Sequence, residues 1–237
     1  MSPKKILLFA AITILAIVST GFSYFYNVQK ISVRMVTRTA QKGQTGTIMA
    51  DVYYLASGKM VTHFFDPKEY FVINNAKGEM SVYDPKKNTA MQQQNIMYST
   101  ETSQLYFFLQ NKKSDLGLKS MGFSVTDTRF EQDLMITHWS PPLQAAKLLR
   151  EVELVHKGPN PIYMKYVDKE GKNAKKIYYY NYTTLNGVDF PMAITQIDFV
   201  ASDSIITKTT YSDIKVNEAA EHPLFNYSIP ANARTLK

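Results

Sequence analysis

Apolar and polar residues alternate with period two along most of this chain. Ile31-Ser32-Val33-Arg34-Met35 opens the pattern, and Thr47 to Leu55 continues it. A Ser-Gly turn at 57–58 sends Lys59 to Phe65 back, and Asp-Pro-Lys-Glu turns again into Tyr70 to Ile73. After "NNAKG" come Glu79 to Tyr83, then "DPKKN" and Thr89 to Gln93. Short alternating runs separated by Asp-Pro and Asn/Gly turns predict antiparallel hairpins joined as a meander. The pattern resumes at Gly122 to Arg129, Leu134 to Trp139, Arg150 to His156, Pro161 to Val167, Lys175 to Tyr182, Phe190 to Val200 and Ser204 to Ser212. The spacing predicts twelve or thirteen strands, with "NYSIPANARTLK" as a closing extended piece.

One segment departs from this period. Ser99-Thr100-Glu101 offers a cap and an early acid. Leu105, Phe108 and Leu109 then recur at helical spacing, with lysines at the end, so a helix is expected over about 101–112. "YFFL" also reads as a buried strand. Helical turns are expected at 115–118 and within 140–149. So many antiparallel strands must split into a sandwich or curl toward a barrel, and an amphipathic helix inserted mid-chain would bury its stripe inside the curl. No Pro-, Gly- or Ser-rich linker divides the chain.

The first residues have another character. Two lysines, Lys4 and Lys5, precede an apolar run from Ile6 to Val18. That run is shorter than the roughly 20 residues a membrane span needs. It fits an export signal of residues 1–23, cut after Ser23 so that the mature chain begins near Tyr24. Read through to Tyr26, the run is an uncleaved anchor instead. Either way residues 24–237 are placed outside the cytoplasm, as one domain. The chain has no cysteine. An exported eukaryotic domain would usually carry disulfides, so a bacterial envelope protein is favoured, and thiol catalysis and cysteine metal sites are excluded.

The net charge of +7 is spread among alternating acids and bases. No dense stripe for nucleic acid exists, and the excess reads as a solvated surface, though it is compatible with anionic headgroups. His63, His138, His156 and His222 share no ligand spacing, so no metal site is expected. There is no GxSxG elbow, phosphate loop or dinucleotide fingerprint. Ser212-Asp213-Ile214-Lys215 matches SxxK in letters only, because it ends a strand. Neither an enzyme nor a cofactor is called for. Ten of the eleven methionines lie after residue 30, among abundant Phe and Tyr. Such soft side chains fill an irregular core or line a site for a variable apolar ligand.

The stretch from Gly46 to Gln94 resembles the LolA-like outer-membrane lipoprotein carriers. Gly46, Pro67, Gly78 and Tyr83-Asp84-Pro85 stand in that family's order, followed by "VDKEGKNAKKIYYYNY", Asp189-Phe190-Pro191 and "FNYSIPANAR". The arginines usual around the family's first proline are missing from "FFDPKEYF". The resemblance implies a mainly β fold with a few helices: a single curved antiparallel sheet, a half-barrel, covered by a helical lid. It implies a non-catalytic, monomeric carrier in the periplasm of a Gram-negative bacterium. Such a carrier binds acyl chains of lipoproteins or other lipids, with an inner-membrane release complex and an outer-membrane acceptor as partners. A sensor or interaction module on the same fold, tethered where the Ile6–Val18 run stays uncleaved, is the alternative. The candidate lining residues are Val52, Tyr54, Met60, Phe64, Met80 and Val82 on one sheet face, with Leu105, Phe108 and Leu109 from the lid. A one-residue slip in register would reverse the face.

Overall fold

The structure is a computed structural model that describes residues 28–201 and 203–236. The expected signal or anchor segment lies outside the described residues. Fourteen strands form one sheet in the order β14-β6-β5-β4-β3-β2-β1-β13-β12-β11-β10-β9-β8-β7. The sheet is curved and does not close.

The left arc is the meander read from the turns: β1 (Lys30–Gln41), β2 (Gln44–Leu55), β3 (Met60–Asp66), β4 (Tyr70–Asn74), β5 (Glu79–Asp84) and β6 (Thr89–Gln94). The right arc is β7 (Ser124–Glu131), β8 (Leu134–Ser140), β9 (Leu149–Lys157), β10 (Asn160–Asp168), β11 (Asn173–Leu185), β12 (Val188–Val200) and β13 (Asp203–Val216). The arcs meet where β1 lies antiparallel to β13, from Ile31 opposite Val216 to Ala40 opposite Ile206. The long strands exceed their alternating cores because threonines, which suit a pleated surface, extend them; the Thr37–Thr209 and Thr39–Thr207 hydroxyls pair across the seam at 3.1 and 3.4 Å.

The helix is shorter than its sequence stripe. A 3-10 turn at Thr100–Thr102 leads into α1 (Gln104–Leu109), where the Ser103 hydroxyl accepts from the Tyr106 amide as N-cap. Residues 110–112, predicted helical, lie beyond it: the chain leaves the helix at Gln110, and Asn111 adopts positive φ. A 3-10 turn at Ala145–Lys147 matches the expected turn in 140–149.

Two cores result, one on each face. The larger joins α1 to the concave side: Ile31, Val33, Val52, Tyr54, Trp139, Val152, Leu154, Ile177, Tyr179 and Phe190 pack with Leu105, Phe107, Phe108 and Leu109. The smaller lies on the opposite face of β2–β6 and comprises Tyr53, Val61, Phe71, Tyr83 and Ala90. It is covered by the tail, through Ala220 and Phe225 on 3-10 turns at Asn217–Ala220 and Pro223–Asn226. The tail then ends as β14 (Arg234–Leu236), parallel to β6. The closing piece read from sequence, residues 226–237, is strand only at Arg234–Leu236, and the 3-10 turns that roof the second core lie just before it.

Candidate functional site

Register decides which side chains share the concave face. Tyr54 lies opposite Met60, Val52 opposite Thr62, and Ala50 opposite Phe64. Phe64 faces Tyr70 across β3–β4, Val72 faces Val82, and Asn74 faces Met80. Val52, Tyr54, Met60, Phe64, Met80 and Val82 therefore lie on one face, and it is the face against which α1 packs. Their surroundings differ. Val52 and Tyr54 are fully buried beneath Leu105, Phe108 and Leu109, and Met60 borders them. Phe64, Met80 and Val82, with Tyr70, Val72 and Met91, are half-buried and belong to neither core. The result is an apolar strip beside the helix, with Phe64 and Tyr70 stacked at 4.3 Å.

The helix is a plug rather than a detached cover. Phe108 has no exposed surface, and its ring lies 5.5 Å from Tyr179, 6.0 Å from Phe190 and 6.3 Å from Tyr182. Both ends of the segment are tied. Upstream, the Thr100 hydroxyl donates to the Gly58 carbonyl at 2.7 Å and Ser99 to that of Ala76 at 2.7 Å. Downstream, the buried Lys113 ammonium donates to Asn160 at 2.5 Å and to the Asp189 carboxylate at 3.2 Å. His156 is buried beneath the Lys113 carbonyl, 3.2 Å from its Nε2. Burial pushes its imidazole below the usual value, and Nδ1 has no partner. Asp189 is held below the usual carboxylate range, first by the Thr184 hydroxyl and also by Lys113.

On the other flank of α1 the concave face is lined with phenols. Burial pushes Tyr211 up to about 12, although its side chain keeps some exposed surface, so it stands in a recess. Burial likewise raises Tyr166 and Tyr179. The Tyr182 hydroxyl donates to the Pro161 carbonyl. Tyr54 is pushed up to about 12 by burial, offset in part by the Gln110 side chain, and its hydroxyl lacks a well-formed hydrogen bond. Outside the helix, a cleft of about 580 Å³ runs between α1 and the loop to Ser120. Ile96, Tyr106 and Phe107 line it together with Lys112, Asp115 and Lys119. The Lys112 ammonium sits 4.6 Å above the Tyr106 ring.

Sequence reasoning missed Tyr70 and Val72, because "YFVI" is apolar on both faces and shows no period. It missed Lys113 and Asp189, whose meeting is a product of topology. The four histidines are dispersed: His63 stacks on Phe71 at 4.3 Å, His222 on Tyr53 at 4.6 Å, and His138 lies near Glu151 and Glu153. Among the described residues no three His, Asp or Glu side chains gather as a metal site, and no helix is long and apolar enough to cross a membrane.

An unclosed antiparallel half-barrel plugged by one helix defines the class, a scaffold with an apolar concavity. Solved structures with this fold are distant in sequence. A LolA superfamily protein from Nitrosomonas europaea is 12% identical, with a TM-score of 0.55 over 80% of this chain and 87% of its own. An outer membrane lipoprotein-sorting protein domain from Vibrio parahaemolyticus is 14% identical, with a TM-score of 0.56 over 90% and 95%. A DUF1329 family protein from Desulfovibrio piger is 11% identical, with a TM-score of 0.57 over 84% and 90%. No family model matches the sequence, and no curated protein does. The chain thus has the LolA-like fold that its Gly46–Gln94 stretch suggested.

Proposed function

We propose that this chain is a non-catalytic protein of the Gram-negative periplasm that binds acyl chains of lipoproteins or other lipids and carries them toward the outer membrane. Residues 1–23 serve as its export signal. The observation that carries this reading is the half-buried strip of Phe64, Tyr70, Val72, Met80, Val82 and Met91. It lies on the concave face next to α1 and outside both cores. Apolar side chains left half-covered inside a curved sheet offer an apolar surface to a ligand, and methionine adapts to ligands of different shape. Burial of a palmitoyl chain is worth on the order of 10 kcal/mol, at about 0.8 kcal/mol per methylene. Transfer between membranes therefore requires comparable apolar cover together with a means of release. The fold of the lipoprotein-sorting domain from Vibrio supports the same reading.

Mass spectrometry of an organic extract from the purified protein tests for a retained lipid, and titration with a fluorescent fatty acid tests for uptake. Val82→Glu sets a charge on the strip where water still reaches it. The expected result is a folded protein whose fatty-acid affinity falls at least tenfold. Undiminished affinity in folded Val82→Glu would remove the strip from the mechanism. Failure of the parent protein to bind any acyl chain would favour an envelope sensor or interaction module on the same fold.

A further inference from the structure

Antiparallel topology sorts the turns onto two rims, and the rims differ in charge. The connections β1–β2, β3–β4, β5–β6, β8–β9, β10–β11 and β12–β13 all fall on one rim. They hold seven lysines, namely 42, 68, 86, 87, 147, 169 and 172, against two glutamates, 69 and 170, with Asp66, Asp84, Asp168 and Asp203 at the adjoining strand ends. The hairpin turns of the other rim hold Lys59, Lys77 and Asp133 only, and the tail adds Glu218 and Glu221 there. On the basic rim Lys68 pairs with Asp84 at 2.8 Å and Lys169 with Glu170 at 3.8 Å. Among the described residues Lys42, Lys86, Lys87, Lys147 and Lys172 make no ion pair.

A rim of lysines alone would be a solvated face. This one also carries large apolar side chains standing in water. Leu143 is 91% exposed and Leu148 is 73% exposed, with Lys147 between them. The loop at Gly122 lies against Pro142, the residue before Leu143, and Met121, the residue before Gly122, is exposed as well. Exposed leucines flanking Lys147, with Lys172 on the adjacent β10–β11 turn and Lys42, Lys86 and Lys87 farther along the same rim, suit neither bulk water nor a packed protein core. They suit the boundary between headgroups and acyl chains of an anionic bilayer, where leucine enters and ammonium groups meet phosphate.

We infer that the basic rim is a membrane-docking surface, seated on bilayers with anionic headgroups through Leu143, Leu148 and the unpaired lysines. The orientation this gives is functional. α1 and its ties, at Gly58, Ala76 and Asn160, lie toward the opposite rim. The docked end is the one at which the concave face is lined by Thr37, Thr39, Ile48 and Thr207 rather than by the plug. A lipid leaving the bilayer there meets the open end of the concavity. The inference does not depend on acyl-chain uptake, because docking is measured without a free acyl ligand.

The test is flotation of the chain beginning at Tyr24, which contains every described strand and both cores, with vesicles of phosphatidylcholine alone or with phosphatidylglycerol added. The expected result is binding to the anionic vesicles only, lost in 1 M NaCl, where the Debye length falls to about 3 Å. Leu143→Glu with Leu148→Glu is expected to abolish it. Replacing Lys86, Lys87 and Lys147 by Gln is expected to weaken it by roughly a hundredfold, at about 1 kcal/mol per lysine. Lys77→Gln with Met97→Glu, on the other rim, is expected to leave it unchanged. No binding to anionic vesicles, equal binding to neutral ones, or loss only in the Lys77/Met97 variant would each overturn the proposal. All these side chains are exposed, so the variants keep the parent fold.

Discussion

Truncating Phe108 distinguishes a helix built into the core from a lid resting on it. The side chain is wholly buried and contacts three aromatic rings at 5.5–6.3 Å. Phe→Ala at such a site loses the transfer energy of the ring and leaves a cavity, together roughly 3–5 kcal/mol. The rings lie within the separations at which aromatic pairs add about 0.5–1.5 kcal/mol each, which sets the expectation near the upper end, at about 4 kcal/mol. A domain of this size shifts its melting temperature by about 2–4 °C per kcal/mol, so Phe108→Ala is expected to melt about 8–16 °C lower. Phe64 is half-buried and stacked on Tyr70 alone, so Phe64→Ala should cost only about 1 kcal/mol. The assay is urea unfolding followed by the fluorescence of Trp139, the single tryptophan, which lies buried in the concave core. The midpoint should move with little change in slope. A Phe108→Ala protein within about 1 kcal/mol of its parent would refute the integral plug and restore a detachable lid.

Three further outcomes follow from the buried groups. His156 is neutral in the fold with its pKa depressed, so the unfolded chain takes up a proton that the native state refuses; stability should be full above the ordinary imidazole value of about 6.5 and fall as pH drops below it, and His156→Gln should flatten that slope in melts at pH 7.5 and 5.5. Asp189→Asn leaves the Lys113 ammonium buried without a counter-charge and should cost roughly 3 kcal/mol in urea unfolding, whereas Lys113→Met leaves only a partly exposed carboxylate and should cost less; equal costs would contradict the burial order of the pair. Phe225→Ala should cost roughly 3 kcal/mol and raise binding of a hydrophobic dye, because Phe225 and Ala220 roof Tyr53, Phe71 and Tyr83 on the outer face.

The strands were legible because their turns are chemically explicit. Ser-Gly, Asp-Pro-Lys-Glu and "DPKKN" punctuation placed the β2–β3, β3–β4 and β5–β6 turns to within a few residues. Val52, Tyr54, Met60 and Phe64 share a face by period two across a short turn, but the apolar neighbours Tyr53 and Phe65 leave that face only weakly marked in the sequence. What local pattern does not carry is which distant strand supplies the partner. Pairing of β1 with β13 spans more than 160 residues and leaves no local mark. The second core was hidden for a related reason. Tyr53, Val61 and Phe71 read as the outward half of an alternating pattern, and the turns that cover them come from a tail with no periodic signal. The helix was overextended because Lys112 and Lys113 look like the basic end of a helix, while Lys113 instead reaches Asp189.

The seam between β1 and β13 has a consequence for how the chain is made. The first strand to emerge lies in the middle of the finished sheet, and its second neighbour is the thirteenth. A chain synthesised from its N-terminus can pair β1 through β6 early, yet the free side of β1 waits until residue 216 has been made. Contacts of such long sequence separation form slowly, since the loop must close before it is rewarded. During that interval Val33 and Met35 sit on an open hydrogen-bonding edge, the kind of template that recruits other strands. Completion of folding is thus coupled to completion of the chain, and one stalled before β13 would present a half-sheet with its centre exposed.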